Sequence, residues 1–308
     1  MKAITPIKLT LIGLLLTASA SAQEAQKAIA KVHYVFTHVN DTTQREKFLR
    51  DEVVTYLGSE GSYYTSYSKT RANEEIEKQM KDPGFDGNLT ITRSTSGIPQ
   101  SYLFEEEKLL EVVTIAGDNF VLENEYPTLD WTIGEETKTI GGYSCQIATT
   151  SFKGRAYSAW FTSELPFSAG PWKLRGLPGL ILEASDGKKE IQWAYSGFDK
   201  LESSAIAIAA PENSKPTNQK EINKLQEAFK ANPQAYMEAK GRIISSGVPA
   251  SSAGGSARAT ISVQGTSAAG GGGSAPAMDA SRIKSVNIKN ADNYAPSRNT
   301  NNPIELIP

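Results

Sequence analysis

The chain has 308 residues, with 32 Lys and Arg against 34 Asp and Glu, and a formal net charge of −2. Scattered basic residues in a near-neutral chain give no electrostatic footprint for nucleic acid and no polybasic patch for anionic lipid. Cys145 is the only cysteine, so no internal disulfide can form.

At the N-terminus, Lys2 and Lys8 precede an uncharged apolar run, Leu9 to Ala18, and Ala20-Ser21-Ala22 supplies an A-x-A cleavage site before Gln23. Those three regions in that order read as a signal peptide over 1–22. The run is too short for a membrane span, which needs roughly 20 apolar residues. No cysteine lies near the cleavage site to carry a lipid. The expected protein is exported through the general secretory pathway to the periplasm or cell surface and is not an integral membrane protein.

Residues 23–240 read as one β-rich domain, a large curved antiparallel β-meander, half-barrel-like or sandwich-like, with one or two accessory helices. Val32, Tyr34 and Phe36 alternate in a first strand. Val53–Leu57 and Ser62–Tyr67 follow, separated by Gly58 and Gly61. Thr70–Lys81 has Glu early and Lys late, matching a helix dipole. Ser101–Glu106, Leu109–Ala116 and Asn119–Glu125 form three more strands, with Gly117-Asp118 as a hairpin turn, and Leu129–Ile133 comes next. Thr137–Ile140 and Tyr143–Ser151 are joined by Gly141-Gly142, which suits a two-residue hairpin. Cys145 shares a face with Tyr143 and Ile147 and reads as a small core residue. Lys153-Gly154 leads into Arg155–Thr162.

Next comes Gly170-Pro171-Trp172-Lys173-Leu174-Arg175-Gly176-Leu177-Pro178-Gly179-Leu180-Ile181-Leu182. Leu177-Pro178-Gly179-Leu180 predicts a type II turn, with Pro178 fixing φ at its first central position and Gly179 giving positive φ at the second. Its flanks are apolar, so the domain's own core or a partner must cover them. Leu180–Ala184 and Glu190–Phe198 are joined around Asp186-Gly187; a two-residue loop there would set Glu183 against Glu190, an unfavourable pair. Asn218 with Glu221 resembles a capping box, and Ile222, Leu225 and Phe229 make one stripe of a helix that Pro233 ends or kinks. Residues 241–282, rich in Gly, Ser and Ala, read as a flexible linker. The tail 283–308 recovers Ile283, Val286 and Ile288, ends Asn302-Pro303-Ile304-Glu305-Leu306, and either returns as an edge strand or stays disordered.

Gly176 to Ile181 spell the signature of the GLPGLI family, and Asp130-Trp131-Thr132-Ile133, Glu136-Thr137-Lys138, Gly142-Tyr143-Ser144-Cys145-Gln146, Ala159-Trp160-Phe161-Thr162 and Gly170-Pro171-Trp172 also resemble family blocks. The resemblance covers about residues 30–200, with a weaker echo at the C-terminus. It implies an exported β-rich envelope protein of Gram-negative bacteria, often encoded beside outer-membrane TonB-dependent receptors, and it transfers no catalytic residue. The Ser/Gly/Ala-rich stretch departs from the compact family pattern.

Candidates for chemistry are sparse. His33 and His38, five apart on one strand, fall on opposite faces and cannot pair on a metal; two histidines and one cysteine are too few for an ordinary zinc or copper site. Asp82-Pro83-Gly84-Phe85-Asp86-Gly87-Asn88 resembles a calcium loop, but Gly84 and Arg93 stand where ligands belong, so it reads as a turn. Glu105-Glu106-Glu107 reads as a solvated turn. No nucleophile elbow, Walker loop or H-E-x-x-H occurs. No catalytic, metal or cofactor residue is therefore assigned, and no cofactor is expected.

What remains is aromatic and apolar material around the signature, which reads either as core or as a docking surface. The residues assigned to partner or ligand binding are Trp160, Trp172, Arg175, Leu177, Pro178, Gly179 and Leu180. The first functional reading is a non-catalytic envelope binding protein whose partner is another envelope protein, a neighbouring receptor being a candidate. The alternatives are a carrier or chaperone holding an apolar ligand on a concave sheet, and a hydrolase with a cryptic site.

Overall fold

The computed structural model describes residues 26–93, 100–105, 107–202, 206–240, 282–290, 296–297 and 299–307. The signal peptide read over 1–22 and all but Arg282 of the linker read over 241–282 lie outside the described residues.

In chain order the elements are β1 (Gln26–Lys27), β2 (Ala30–His38), β3 (Leu49–Leu57), β4 (Gly61–Ser66), α1 (Ser68–Lys81), β5 (Asn88–Arg93), β6 (Gln100–Glu105), β7 (Lys108–Ile115) and β8 (Asp118–Asn124). They continue with β9 (Thr132–Ile140), β10 (Tyr143–Phe152), β11 (Arg155–Thr162), β12 (Leu180–Asp186), β13 (Ile191–Lys200), β14 (Ala207–Ile208), β15 (Lys215–Pro216), α2 (Gln219–Ala231), α3 (Pro233–Ala239) and β16 (Ser285–Asn290). Twelve strands form one sheet in the order β15-β8-β7-β6-β4-β3-β2-β13-β12-β11-β10-β9. The protein is mainly β, as its alternating pattern predicts. The sheet is mixed rather than wholly antiparallel, because β15 pairs with β8 in parallel. Outside it, β16 pairs in parallel with β5, and β1 pairs with β14.

The sheet consists of two meanders joined at one seam. Residues 30–124 supply one and residues 132–200 the other, and β2 pairs with β13 from Ile191↔His38 to Lys200↔Ala30, interrupted by one irregularity between Tyr195 and Gly197. Short turns set the register within each meander. Ala116-Gly117, Gly141-Gly142 and Lys153-Gly154 each place two consecutive residues at positive φ, the geometry whose twist matches antiparallel strands. The first of these turns lies one residue earlier than the predicted Gly117-Asp118, because Ile115 pairs with Asp118.

Two further differences have clear causes. Of the predicted strand Leu129–Ile133 only Thr132 and Ile133 are extended, and they continue through to Thr137–Ile140 as β9, where the register shifts opposite Gln146 and Ala148. That irregularity absorbs the polar Gly134–Glu136 stretch without ending the strand. Between β12 and β13 the loop is longer than two residues: Ala184 pairs with Trp193, so Glu183 never faces Glu190. The Asp186 carboxylate accepts the Glu190 and Ile191 N–H groups at 2.6 and 2.9 Å and closes this loop.

Helix α2 begins as its capping box predicts, the Asn218 side chain accepting the Glu221 N–H at 3.0 Å. Its Ile222 is buried with Val113, Ile115, Phe120 and Leu122 over the β7–β8 end of the sheet. Pro233 does not merely end it: it stands at the start of a separate helix, α3, which Asn232 caps.

The main core lies on one face of the sheet. Val32, Tyr34 and Phe36 of β2, Val53 of β3, Tyr64 of β4, Tyr157 of β11 and Trp193 of β13 all belong to it. Trp193 is 1% exposed and donates its indole N–H to the Tyr64 hydroxyl at 3.0 Å. It therefore ties the second meander to the first across the seam. Replacing Trp193 by Ala should cost about 3–5 kcal/mol of unfolding free energy, measured by urea titration; a loss under about 1 kcal/mol would contradict this packing.

Candidate functional site

Residues 163–179 connect β11 to β12 and lie over the core face of the sheet. Leu165, Ala169, Trp172, Leu174 and Leu177 are buried within the same cluster as Tyr34, Tyr157 and Trp193. Trp172 holds φ at 54°, a left-handed conformation rare for a bulky side chain. Packing holds it there: its ring stacks on Trp193 with centroids 5.9 Å apart and an 11° interplanar angle, and Phe152 and Tyr157 lie at 5.6 and 6.0 Å.

Hydrogen bonds fix the loop at several points. The Thr55 hydroxyl donates to the Gly170 carbonyl at 3.1 Å, and the Trp131 indole N–H donates to the Arg175 carbonyl at 2.8 Å. Leu180 N–H donates to the Leu165 carbonyl, and Ile181 N–H to the Ala169 carbonyl, each at 3.0 Å.

The predicted type II turn at Leu177–Leu180 does not form. Gly179 N–H bonds the Leu177 carbonyl at 2.8 Å, a tighter three-residue reversal around Pro178. The Leu180 N–H that would have closed the four-residue turn is committed to Leu165. Gly179 is needed for another reason as well: a Cβ there would lie 2.1 Å from the Thr162 carbonyl oxygen and 2.7 Å from its carbon. The signature glycine marks where two backbones meet.

The residues assigned to binding therefore divide into two groups. Trp172, Leu177 and Leu180 are 3%, 2% and 0% exposed, so their side chains are core packing and present no surface. Gly179 is buried, and only Pro178 of the turn is exposed. Arg175 is half-buried, its guanidinium 4.4 Å from the Phe104 ring and 4.9 Å from the Tyr126 ring. There its charge is held by two π faces, while its Nη1 is buried without a hydrogen-bond partner. Burial lowers its pKa from the ordinary arginine value.

Trp160 differs from the rest. It is partly exposed, and Lys138 Nζ lies 4.4 Å from its ring centroid. Lys138 also pairs with Glu183 at 2.5 Å. Strand β9, which carries Lys138, ends the twelve-stranded sheet, and among the described residues its outer edge has no strand beside it. Thr132 to Thr139 are exposed apart from the half-buried Gly134, and Ile133 is 48% exposed.

The histidines occupy opposite faces of β2, as their odd spacing predicts. On one side His33 makes an edge-on contact with the Tyr67 ring at 4.5 Å, with Asp199 3.5 Å from Nε2 and Glu52 3.9 Å from Nδ1. Glu52 is already paired with Arg71 at 3.0 Å, so this group fastens α1 to the sheet. On the other side His38 is 4% exposed, and its Nε2 lies 2.7 Å from the Asn302 carbonyl. Among the described residues no group of three or more His, Cys, Asp or Glu is placed to hold a metal. Cys145 is 1% exposed, and burial raises its thiol pKa, which disfavours the nucleophilic thiolate. In the Asp82–Asn88 turn, the carboxylates of Asp82 and Asp86 accept the backbone N–H groups of Gly84 and Asn88 at 2.8 Å each.

Sequence reasoning missed the cluster around His38. Arg155 and Asp186 form an ion pair at 3.0 Å with side chains 4% and 3% exposed, and the C-terminal segment lies against it. Glu305 of that segment pairs with the buried Lys173 of the signature loop at 2.5 Å. The sequence spaces these groups too widely for any motif to connect them.

Two measurements check this account. Gly179→Ala should destabilise the fold by at least about 2 kcal/mol, since overpacking against backbone cannot relax by side-chain motion; an unchanged urea midpoint would contradict the close approach. Burial is the main reason the His38 pKa lies below its ordinary value, opposed by the bond to Asn302. The unfolded chain then takes up this proton first, below its pKa of about 6.5. Stability from His38 is therefore complete above that value and declines as pH falls towards the folded pKa. His38→Gln should flatten the fall in melting temperature between about pH 7 and 5; an unaltered slope would contradict it.

A family model described as "Protein of unknown function (Porph_ging)" matches residues 152–183, the stretch holding β11, the core-filling loop and the start of β12. No curated protein matches the chain. Two solved structures of PNGF-II, in P21 and C2 crystal forms, are similar with TM-scores of 0.43 and 0.42 and identities of 13% and 12%. They cover 65% and 64% of this chain, which spans 33% and 32%, about a third, of their length. Among the described residues no helix is long and apolar enough to cross a membrane. The chain is thus similar, over the segment that fills its own core, to a family of unknown function.

Proposed function

We propose that the protein is an exported, non-catalytic binding protein of the bacterial envelope, and that it engages its partner through the open edge of β9 and the Trp160–Lys138 surface beside it. Export rests on the N-terminal pattern and on the resemblance to the GLPGLI family. That resemblance also makes a neighbouring TonB-dependent receptor the candidate partner.

One observation carries the reading. Of the two tryptophans assigned to recognition, Trp172 is buried and Trp160 is partly exposed, near the sheet edge that has no strand beside it among the described residues. An open edge offers backbone N–H and C=O groups to an extended segment of another protein, and an adjacent aromatic ring adds side-chain specificity. The core face, where a carrier would need room for its ligand, is filled by Trp172, Leu174 and Leu177.

A photo-crosslinking residue placed at Thr137 in the native envelope tests this. One defined protein adduct is expected, reduced at least about tenfold by Trp160→Ala, which corresponds to about 1.4 kcal/mol, and by Lys138→Glu. The same adduct from a crosslinker at the opposite end of the sheet, or no adduct at Thr137, would refute this surface. Apolar small molecules carried by the purified protein in native mass spectrometry would favour the carrier instead.

A further inference from the structure

Asn302 is 7% exposed, and both polar atoms of its side chain have partners. Its Oδ1 accepts from Arg155 Nη2 at 2.6 Å; its Nδ2 donates to the Val39 carbonyl at 2.8 Å and to Glu190 Oε2 at 3.0 Å. Its backbone carbonyl lies 2.7 Å from His38 Nε2. A neutral imidazole there carries its proton on Nε2 and donates it to that carbonyl. Asp in place of Asn would set a carboxylate against Glu190 and a carbonyl, and Gln would be one methylene too long.

The next residues are contacted in turn. Arg155 Nη2 also donates to the Pro303 carbonyl at 2.6 Å, and Arg155 Nε to the Ile304 carbonyl at 2.9 Å. Pro303 itself brings no N–H that would need a partner and biases Asn302 towards extended backbone. Ile304 packs on the main core, and Glu305 meets Lys173.

The groups making these contacts are held in place by the body of the domain. Arg155 is fixed by Asp186, whose other oxygen is occupied by the Glu190 and Ile191 N–H groups. Glu190 is held by Arg45 at 2.8 Å. His38 lies in the β2–β13 pairing opposite Ile191. With the segment in place the Arg155 side chain is 4% exposed; the body supplies its pairs with Asp186 at 3.0 Å and Glu190 at 3.7 Å, and the segment supplies three further acceptors on Asn302, Pro303 and Ile304. Hydrogen bonds to a charged group are worth more than neutral ones. A site rigid in itself, with donors aimed at carbonyls and one side-chain amide, has the construction of a peptide receptor.

We propose that the cradle of His38, Val39, Arg155 and Glu190 is a recognition site for an extended Asn-Pro-aliphatic-acidic peptide, filled here by the chain's own residues 302–305 and able to take the same sequence from a second polypeptide. This site is independent of the β9 edge, and its test uses purified protein alone.

The test replaces residues 291–295 of the full chain with a protease recognition sequence and cleaves there, releasing the peptide 296–308 from its covalent tether. The peptide is expected to stay with the folded body through gel filtration at about 10 µM, as a micromolar or tighter ligand would. Labelled peptide of the same sequence should exchange into the site, whereas peptide carrying Asn302→Ala should compete at least about 100-fold less well, having lost three hydrogen bonds, two of them to charged groups. Three results would overturn the proposal. The peptide could leave while the body keeps its circular dichroism, the body could unfold on cleavage, or the substituted peptide could compete equally.

Discussion

The sheet does not close into a barrel, so its main apolar face must be covered, and the stability of this fold depends on what covers it. Here the cover is the chain between β11 and β12, pressed onto the sheet by the parallel stack of Trp172 on Trp193. Large rings stacked without water gain both burial and an offset π contact, and they fix the loop's height above the strands. At that height Thr55 and Trp131 bond the loop backbone, and the loop's own Leu165 and Ala169 carbonyls accept the Leu180 and Ile181 N–H groups of β12. The left-handed backbone of Trp172 is the cost of this arrangement, and the aromatic contacts around it offset that cost.

Most of the strands were readable because turn chemistry and period-two alternation agree in this sequence. Gly141-Gly142 and Lys153-Gly154 could each be assigned to a hairpin, and Asn218 with Glu221 to a helix start, because the physics involved is local. The seam between β2 and β13 was not readable. Nothing near Tyr34 says that its neighbour in the sheet is Tyr195, since pairing between distant strands is decided by packing of the whole face. The short strand β5 escaped notice for a related reason: its partner β16 lies beyond the whole domain in sequence. The turn at Pro178-Gly179 was predicted from residue preference alone, whereas its geometry is set by the approach of Thr162.

The candidate site was only half legible. Aromatic residues within a short stretch mark either core or interface, and composition does not separate the two. Burial does, sending Trp172, Leu177 and Leu180 inward and leaving Trp160 partly exposed at the margin of the core. The polar cradle around Asn302 was invisible because its parts come from four remote stretches of chain. Individually, Arg155 and Glu190 look like solvated charges on a strand and a loop. Only the fold reveals that Arg155 is a buried cation with every neighbour prescribed.

The seam also constrains the order in which the molecule can assemble. Strand β2 is among the first described elements of the chain, and its partner β13 comes after eleven other elements. When the polypeptide emerges N-terminus first from the ribosome, the first meander can condense early. One flank of β2 must then wait, with its backbone groups unpaired, until residue 200 has arrived. During that interval the nascent chain presents a nine-residue template for mispairing, a vulnerability absent from the finished protein.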